Sequence, residues 1–250
     1  MSETIRNDIM GKVELAKADI RAFDGQVGRF NRGLVPDPVF LENRLRHGVY
    51  GQRQDDVHMM RSKQPLGLIT PDQLDAMADI TETYAAGIAH LTTRQDIQIH
   101  YIGLDQTPAV MDAFAKVSGT FREACGNVVR NITAPPVSGV WPNEVFDVTA
   151  HGIALAKFLL KHPDGQGLGR KFKIQISGTD DHRWNQGMIH DIGATARIRD
   201  GEKGFHILVG GGLGAVPHPA QELYDFIPEA ELLPLSLAVL RVFGEHGEKR

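Results

Sequence analysis

Three cationic side chains lie within four positions of the segment GRKFKIQISG, residues 169–178, just before an apolar, β-branched stretch. If the segment is extended, successive side chains point to opposite faces. Lys171 and Lys173 then share one face, and Arg170 and Phe172 share the other. Two ammonium groups held side by side cost free energy unless water or an anion separates them. The pair therefore indicates either a solvated strand end, which is the commoner use of such a pattern, or an anion-binding site.

Cations and hydrogen-bond donors recur at other predicted strand ends and strand faces. They are Arg61 in HMMRSKQP, Arg94, Gln98 and His100 in TTRQDIQIH, and Arg130 and Asn131 in NVVRNIT. Each segment alone is typical of the solvent-facing side of a sheet. Together they predict converging positive charge that can hold a polyanion, because an arginine fork binds a carboxylate with two hydrogen bonds and lysine supplies a point charge.

The composition restricts the kind of partner. The 250 residues include 27 basic and 31 acidic residues, a formal charge of −4. No overall field would draw such a chain to nucleic acid or to an anionic membrane surface, so we expect neither partner and a local anion site. The single cysteine, Cys125, excludes an internal disulfide and any all-cysteine metal cluster supplied by this chain alone. We find no signal-peptide core and no apolar run of about 18 residues, which predicts a cytoplasmic protein.

The first elements can be predicted from residue spacing. Residues 13–22 have helical spacing and the stretch after them indicates a loop or extended arm, so the first fifty residues are expected to lie outside the core. A strand up to Arg61 is followed by a helix, for which Thr70 is the N-cap, with Pro71 and Gln73 after it. The segment LTTRQDIQIHYI then alternates as a strand does. We expect the strands ending near Arg61 and His100 to lie in one antiparallel sheet.

A second unit is predicted after the segment CGNVVRNITAPP. It should contain a helix near 147–161, a strand opening at Arg170, and a helix or strand near 180–198. The strand GFHILVGG and a closing helix through LLPLSLAVLRVFGEHG complete it. Strands and helices in this order predict the α+β fold class.

Four segments also carry a family resemblance. LTTRQDIQIH, ACGNVVRNIT, RKFKIQISG and GFHILVGGGLG resemble, in this order, the siroheme-dependent nitrite and sulfite reductases, over roughly residues 46–250. Residue spacing predicts an N-terminal arm with a short helix at 1–50, and the resemblance implies a ferredoxin-like half domain at 51–108. This half domain would pack beside the first part of an α+β siroheme-binding domain at 109–250, truncated on its C-terminal side.

The resemblance also implies roles for the polar residues. Siroheme is an iron tetrapyrrole ringed by carboxylates, so its site needs cationic and amide donors. The implied cofactor-binding residues are Arg94, Gln98 and His100 on one strand and Asn131 in a loop that approaches the cofactor. The implied cations around the bound anion are Arg61, Arg130, Lys171 and Lys173. The implied reaction is the six-electron reduction of sulfite to sulfide, or of nitrite to ammonia, with sulfite weakly preferred; the lysines would stabilise negative charge and deliver protons.

The resemblance has consequences beyond these residues. Family members hold a 4Fe-4S cluster with four cysteines, and all four would lie beyond residue 250; Cys125 occupies a position that the family does not use. The cluster ligands are therefore expected outside this chain, in a missing C-terminal half, and the chain alone is expected to be inactive. Ferredoxin or a flavoprotein would donate the electrons.

Three alternatives remain open from the sequence. The motif GGGLGA, residues 210–215, fits a Rossmann-type dinucleotide fingerprint, although Pro217 and Pro219 follow where a helix is required. The segment DDHRWNQGMIHD could supply a divalent metal site, although its spacing matches no standard ligand pattern. Its candidate ligands are Asp180, Asp181, His182, His190 and Asp191. Finally, the chain could be a catalytically inert fragment or binding module that keeps the fold.

Overall fold

The computed structural model describes residues 13–247, which form two compact units. The first unit consists of the residues up to 64 together with 68–126. The second consists of residues 65–67 and the residues from 127 onward. No helix in the described part of the chain is long and apolar enough to cross a membrane.

The first unit packs helices against an antiparallel sheet. Its helices are α1 (Val13–Asn31), α2 (Asp37–Arg46), α3 (Pro71–Tyr84) and α4 (Thr107–Ala115). Its strands are β1 (Val49–Gly51), β2 (Val57–Arg61), β3 (Ala89–Leu91) and β4 (Ile97–Gly103), in the order β1-β2-β4-β3. All neighbouring strands are antiparallel, and Arg61 lies opposite Gln98. The prediction of one antiparallel sheet for the strands near Arg61 and His100 is confirmed.

The N-terminal region contributes to this core, contrary to the sequence prediction. Helix α1 continues through the stretch predicted as a loop, and α2 follows it. Phe23, Val27 and Phe40 are buried in the core of the unit. Gly25 and Gly28 suggested a loop, but a glycine costs a helix only about 1 kcal/mol, whereas burying a large apolar side chain contributes about 1.5–3 kcal/mol. The expectation that residues 23–40 lie outside the core is wrong.

Helix α3 begins where the sequence places it. The Gln73 backbone N–H donates to Thr70 Oγ1 at 3.2 Å, and Gln73 Oε1 accepts from the Thr70 backbone N–H at 3.2 Å. Pro71 occupies the start of the helix, where no backbone donor is needed. The predicted N-cap is confirmed, with a reciprocal capping box.

The alternation predicted for β4 fails after His100. His58 pairs with Ile102 and Met60 pairs with Ile99, so β4 carries one extra residue in a β-bulge. Tyr101 adopts a φ of 67° and is 50% exposed, whereas Ile102 is buried. An extra residue moves every later side chain to the other face.

The second unit is built on a mixed sheet. Its strands are β5 (Ile174–Ser177), β6 (Ile192–Arg199), β7 (Glu202–Val209) and β8 (Gln221–Pro228), in that order. The pair β5 and β6 is parallel, and the other neighbours are antiparallel. Its helices are α5 (Thr149–Leu159) and α6 (Leu232–His246). The strand predicted to open at Arg170 begins at Ile174, and the region near 180–198 supplies strand β6.

The buried segment 128–134 runs beside β5. It forms parallel bridges from Val129 to Phe172 and from Thr133 to Gln175. Every residue of this segment is buried. It therefore fixes the residues just before β5 from one side, while β6 pairs with β5 on the other.

The motif GGGLGA lies between the antiparallel strands β7 and β8, and none of residues 210–220 is helical. A dinucleotide fingerprint has to open a helix after a strand of a parallel sheet. The Rossmann alternative is therefore wrong. Each unit combines strands and helices, in agreement with the predicted α+β class.

Candidate functional site

Arg61 is held at the end of β2 by three contacts. Its backbone N–H donates to Gly48 O at 2.9 Å, and its Nη1 donates to Ala124 O at 3.3 Å. Because a guanidinium only donates, the Gln98 amide must turn its oxygen towards it, and this oxygen then accepts from Arg61 Nε at 2.9 Å. Gln98 therefore orients the guanidinium across the sheet.

His100 lies two residues after Gln98, on the same face of β4, and is half-buried. Burial lowers the pKa of His100 below its ordinary value, and nearby His90 and Arg61 lower it further. The His90 and His100 rings lie 6.5 Å apart. The neutral imidazole is therefore favoured near neutral pH, with one nitrogen that donates and one that accepts a hydrogen bond.

Arg94 does not lie on β4, although the sequence placed it there. It sits in the turn before the strand, where its backbone N–H donates to Thr92 Oγ1 at 3.2 Å. The Thr92 hydroxyl also accepts from the Asp96 backbone N–H at 3.1 Å, and Asp96 is buried instead of solvent-facing. The predicted position of Arg94 on the strand is wrong, and its role stays a prediction.

Phe172 determines the direction of the two lysines in the second unit. It is fully buried, and its ring packs edge-to-face against Phe243 of α6 at 5.1 Å. Since adjacent side chains of an extended segment alternate, Lys171 and Lys173 point away from this core. Lys171 is exposed and Lys173 is half-buried. The burial of Phe172 between an exposed and a half-buried lysine agrees with the predicted alternation, and the shared face of the two lysines stays a prediction.

Arg130 lies on the neighbouring segment. Its backbone N–H donates to Phe172 O at 2.8 Å, and the Phe172 N–H donates to Val128 O at 3.2 Å. Val129 and Phe172 form a bridge, and Arg130 and Lys173 are the next residues on the two paired segments. Paired segments lie about 4.8 Å apart. Arg130 is 5% exposed. The second unit therefore brings three predicted cations onto two adjacent segments.

The predicted site residues divide between the two units. The first unit contains Arg61, Arg94, Gln98 and His100, and the second contains Arg130, Asn131, Lys171 and Lys173. Asn131 is fully buried and directly follows Arg130 in the segment 128–134. A shared role for Arg61 and the cations of the second unit stays a prediction.

The segment considered as a metal site makes other contacts. The Asp181 carboxylate accepts hydrogen bonds from the side chain and backbone of Arg183, which lower the pKa of Asp181 to about 2. His190 Nδ1 lies 2.7 Å from Gln186 O, and Asp191 Oδ2 accepts from the Lys173 backbone N–H at 2.7 Å. Within residues 13–247, no group of three or more His, Cys, Asp or Glu side chains is arranged to hold a metal ion. The structure gives the metal alternative no support.

Sequence reasoning missed the role of Asp191. Its contact with Lys173 joins residues 18 positions apart. The only signal in the sequence was an acidic residue directly before a strand, which did not distinguish a ligand from a backbone acceptor.

Siroheme and a 4Fe-4S cluster, the two implied cofactors, require different kinds of side chain. A carboxylate-ringed macrocycle requires cations and neutral donors, and Arg61, Gln98 and His100 supply these types around paired β2 and β4. A 4Fe-4S cluster requires thiolate ligands, and the chain has one cysteine, Cys125, which is 1% exposed. The residues thus fit siroheme in type, whereas they do not supply a cluster site.

Two family models match the chain. The nitrite/sulfite reductase ferredoxin-like half domain matches residues 50–117, and the nitrite and sulphite reductase 4Fe-4S domain matches residues 125–250. The first match confirms the predicted ferredoxin-like half domain.

Individual relatives agree with these matches. The chloroplastic ferredoxin–nitrite reductase of Zea mays is 30% identical over 197 residues, which cover 76% of this chain and 34% of the relative. A protein named sulfite reductase [ferredoxin] 2 from Mycolicibacterium paratuberculosis is 30% identical over 196 residues, covering 77% and 34%. The chain therefore spans about a third of the length of these curated relatives.

A solved structure supports the same fold. The NirA protein of Mycobacterium tuberculosis matches with a TM-score of 0.82 and 24% identity, over 98% of this chain and 48% of that one. The second family model alone covers half of the chain, and the first covers most of the β1–β4 sheet. The chain belongs to the nitrite and sulphite reductase family.

Proposed function

We propose that this chain is part of a siroheme and iron–sulfur reductase that reduces sulfite to sulfide or nitrite to ammonia. The observation that carries the proposal is the parallel bridge between Val129 and Phe172 in the second unit, which brings the segment of Arg130 beside the segment of Lys171 and Lys173. The relatives support both substrates, since one is named a nitrite reductase and another a sulfite reductase.

The lysine pair favours an anion on physical grounds. Cα atoms two residues apart on an extended segment are separated by about 6.6 Å. If the ammonium groups keep about this separation, two like charges about 7 Å apart repel by about 2 kcal/mol at an effective dielectric constant of about 20. An oxyanion between the ammonium groups replaces this repulsion with two attractions. Phe172 prevents the pair from turning away, because its ring is fixed in the core.

The same side chains can serve the reaction. The ammonium groups of Lys171 and Lys173 would bind the oxygen atoms of the substrate and stabilise added negative charge. Each Nζ also holds protons, which a departing oxygen needs in order to leave as water. Arg130 would add a third charge from the neighbouring segment, and Arg61 is the proposed fourth.

Cofactor binding is assigned to the other polar residues. Arg94, Gln98, His100 and Asn131 would contact siroheme, whose iron, when the cofactor is bound, supplies electrons to the substrate. Gln98 also orients Arg61, and neutral His100 can donate one hydrogen bond to a carboxylate.

The proposed partners follow from the family and from the cysteine count. Because this chain has one cysteine, a cluster would take its ligands from outside these 250 residues, and the 250 residues alone would not turn over substrate. The names of the two relatives include ferredoxin, so ferredoxin is the proposed donor, with a flavoprotein as the alternative. A cytoplasmic location stays a prediction, since one relative is chloroplastic.

The test is reconstitution of the full chain with siroheme, followed by nitrite or sulfite titration. We expect a siroheme absorbance spectrum that shifts when the anion binds. Lys171→Ala and Lys173→Ala should each raise the anion concentration needed for half of this shift by about tenfold or more. The matched control is Lys157→Ala, an exposed lysine on α5, which should titrate like the unchanged chain. A chain that takes up no siroheme would contradict the proposal and favour an inert binding module.

A further inference from the structure

Residues 186–191 contact three motifs of the second unit at once. The Asp191 carboxylate accepts from the Lys173 N–H at 2.7 Å, and the Asp191 carbonyl accepts from the Gly210 N–H at 3.1 Å. His190 Nε2 lies 3.4 Å from Thr133 Oγ1, and His190 O accepts from the Gly211 N–H at 2.9 Å. This segment therefore joins the lysine segment, the buried segment 128–134 and the glycine motif.

We propose that Asp191 is a positioning residue, which fixes the backbone of Lys173 and thereby the direction of its ammonium group. The inference rests on the proposed function, because it concerns how the anion-binding lysine is held. Asp191 is not assigned any contact with substrate or cofactor.

The register of the sheet explains why a side chain is needed at this point. The ladder between β5 and β6 begins at Ile174 and Ile192, and the Ile192 N–H donates to Lys173 O at 3.2 Å. Lys173 and Asp191 are the residues just before this first pair. The carboxylate accepts the Lys173 N–H there, so a side chain extends the ladder by one hydrogen bond. A hydrogen bond to a carboxylate is roughly twice as strong as one between neutral groups.

The lysine backbone is consequently fixed on both sides. The segment 128–134 binds Phe172 through Arg130 N–H and Val128 O, and Asp191 binds the next residue from the opposite side. A shift of about 1 Å in a group that contacts the substrate can lower a rate by about 100-fold. Holding the Lys173 amide fixes the direction in which the side chain leaves the backbone and so limits the positions that the ammonium group can reach.

Two substitutions separate this role from a simple charge effect. Asp191→Asn keeps an acceptor oxygen of nearly the same reach and removes the negative charge. Asp191→Ala removes both. If Asp191 acts through the hydrogen bond, the Asn variant should bind the anion within about twofold of the unchanged chain, and the Ala variant about tenfold more weakly. If it acts only as a negative charge beside cations, both variants should bind an anion more tightly.

The experiment uses the full chain, with sulfite as the probe. Amide hydrogen exchange at Lys173 and NMR-monitored sulfite titration are measured for the unchanged chain and for both variants. The control is Asp180→Ala, an exposed carboxylate of the same region that pairs with Arg197 at 3.5 Å. We expect Asp191→Ala to speed exchange at Lys173 and weaken sulfite binding, Asp191→Asn to restore both, and Asp180→Ala to change neither.

The outcomes distinguish the inference from the proposed function. If the unchanged chain binds sulfite at Lys171 and Lys173 and Asp191→Ala binds it equally well or better, the positioning role is overturned and the proposed function stands. If the unchanged chain binds no sulfite at these lysines, the proposed anion site fails, and the positioning role fails with it.

Discussion

Lys173 separates two explanations of the cation pair, because they predict opposite effects on stability and function. In the proposed anion site, the ammonium group of Lys173 lies near the like charges of Lys171 and Arg130. We expect Lys173→Ala to leave the free energy of unfolding unchanged or to raise it slightly, as measured by urea denaturation in low salt. If Lys173 merely protects a strand from aggregation, the variant should instead precipitate more readily and keep its anion affinity.

His100 predicts a pH dependence for the first unit. Burial lowers its folded-state pKa below the ordinary value of 6.5, so below that value the unfolded chain binds more protons than the folded one. Stability is therefore fully present above about pH 6.5 and falls as the pH drops towards the lowered folded pKa. His58, whose pKa is lowered mainly by burial, adds to the same trend.

The measurement is urea denaturation at about pH 7.5 and at about pH 5. We expect His100→Gln to lose less stability between the two pH values than the unchanged chain. The control is His246→Gln, which removes an exposed histidine of α6 in the second unit. Equal losses in the His100→Gln variant and the unchanged chain would contradict the prediction.

Single residues were predictable from sequence where a local rule decides their direction. The period of two predicted that Phe172 lies on the face opposite the two lysines, and Phe172 is indeed buried. Arg94 was misplaced because the Thr92 hydroxyl holds a turn in competition with the strand. Asp191 could not be assigned, since its partner lies in a distant segment and only the sheet register brings the two together.

Glycines in α1 and α5 test whether the N-terminal region forms an ordinary helix packed on the core. An added Cβ at Gly25 or Gly28 in α1 meets nothing within 4 Å, whereas at Gly152 in α5 it lies 2.5 Å from Leu66 Cδ2. We expect Gly25→Ala and Gly28→Ala to raise the free energy of unfolding by about 0.5–1 kcal/mol each. Gly152→Ala, the matched comparison, should lower it by about 1–3 kcal/mol through overpacking.

Thermal or urea denaturation of the three glycine variants measures these changes in the free energy of unfolding. If Gly25→Ala or Gly28→Ala destabilises the chain, α1 is not an ordinary helix packed on the core. A neutral result for Gly152→Ala would contradict the close packing of α5 on Leu66.

The start of helix α3 and the pairing of β2 with β4 were easier to predict than strand irregularities. The capping box of α3 is local, so Thr70 and Gln73 were sufficient to place its start. The bulge after His100 depends on pairing with β2, and the bridges from 128–134 to β5 join residues about forty positions apart. No periodicity within one segment contains that information.

For the whole molecule, the family relationship leads to a prediction about ligand linkage. A cofactor that binds only the folded chain stabilises it by mass action, by about 2.7 kcal/mol at a free concentration 100 times the dissociation constant. We expect siroheme to raise the unfolding midpoint of the full chain. A haem that carries fewer carboxylates should raise it less, because fewer charge-assisted hydrogen bonds form.

A pair of arginine variants tests whether the predicted residues carry this stabilisation. Arg61→Ala removes the guanidinium that Gln98 orients, so we expect the midpoint shift caused by siroheme to shrink. Arg241→Ala removes an exposed arginine of α6 that pairs with Asp164, and it should leave the shift intact. Measurement of the siroheme-induced shift, not of the unliganded midpoint, separates lost binding from lost stability, because Arg61→Ala also removes the contact with Ala124. An equal siroheme shift in both variants would contradict a role for Arg61 in this site.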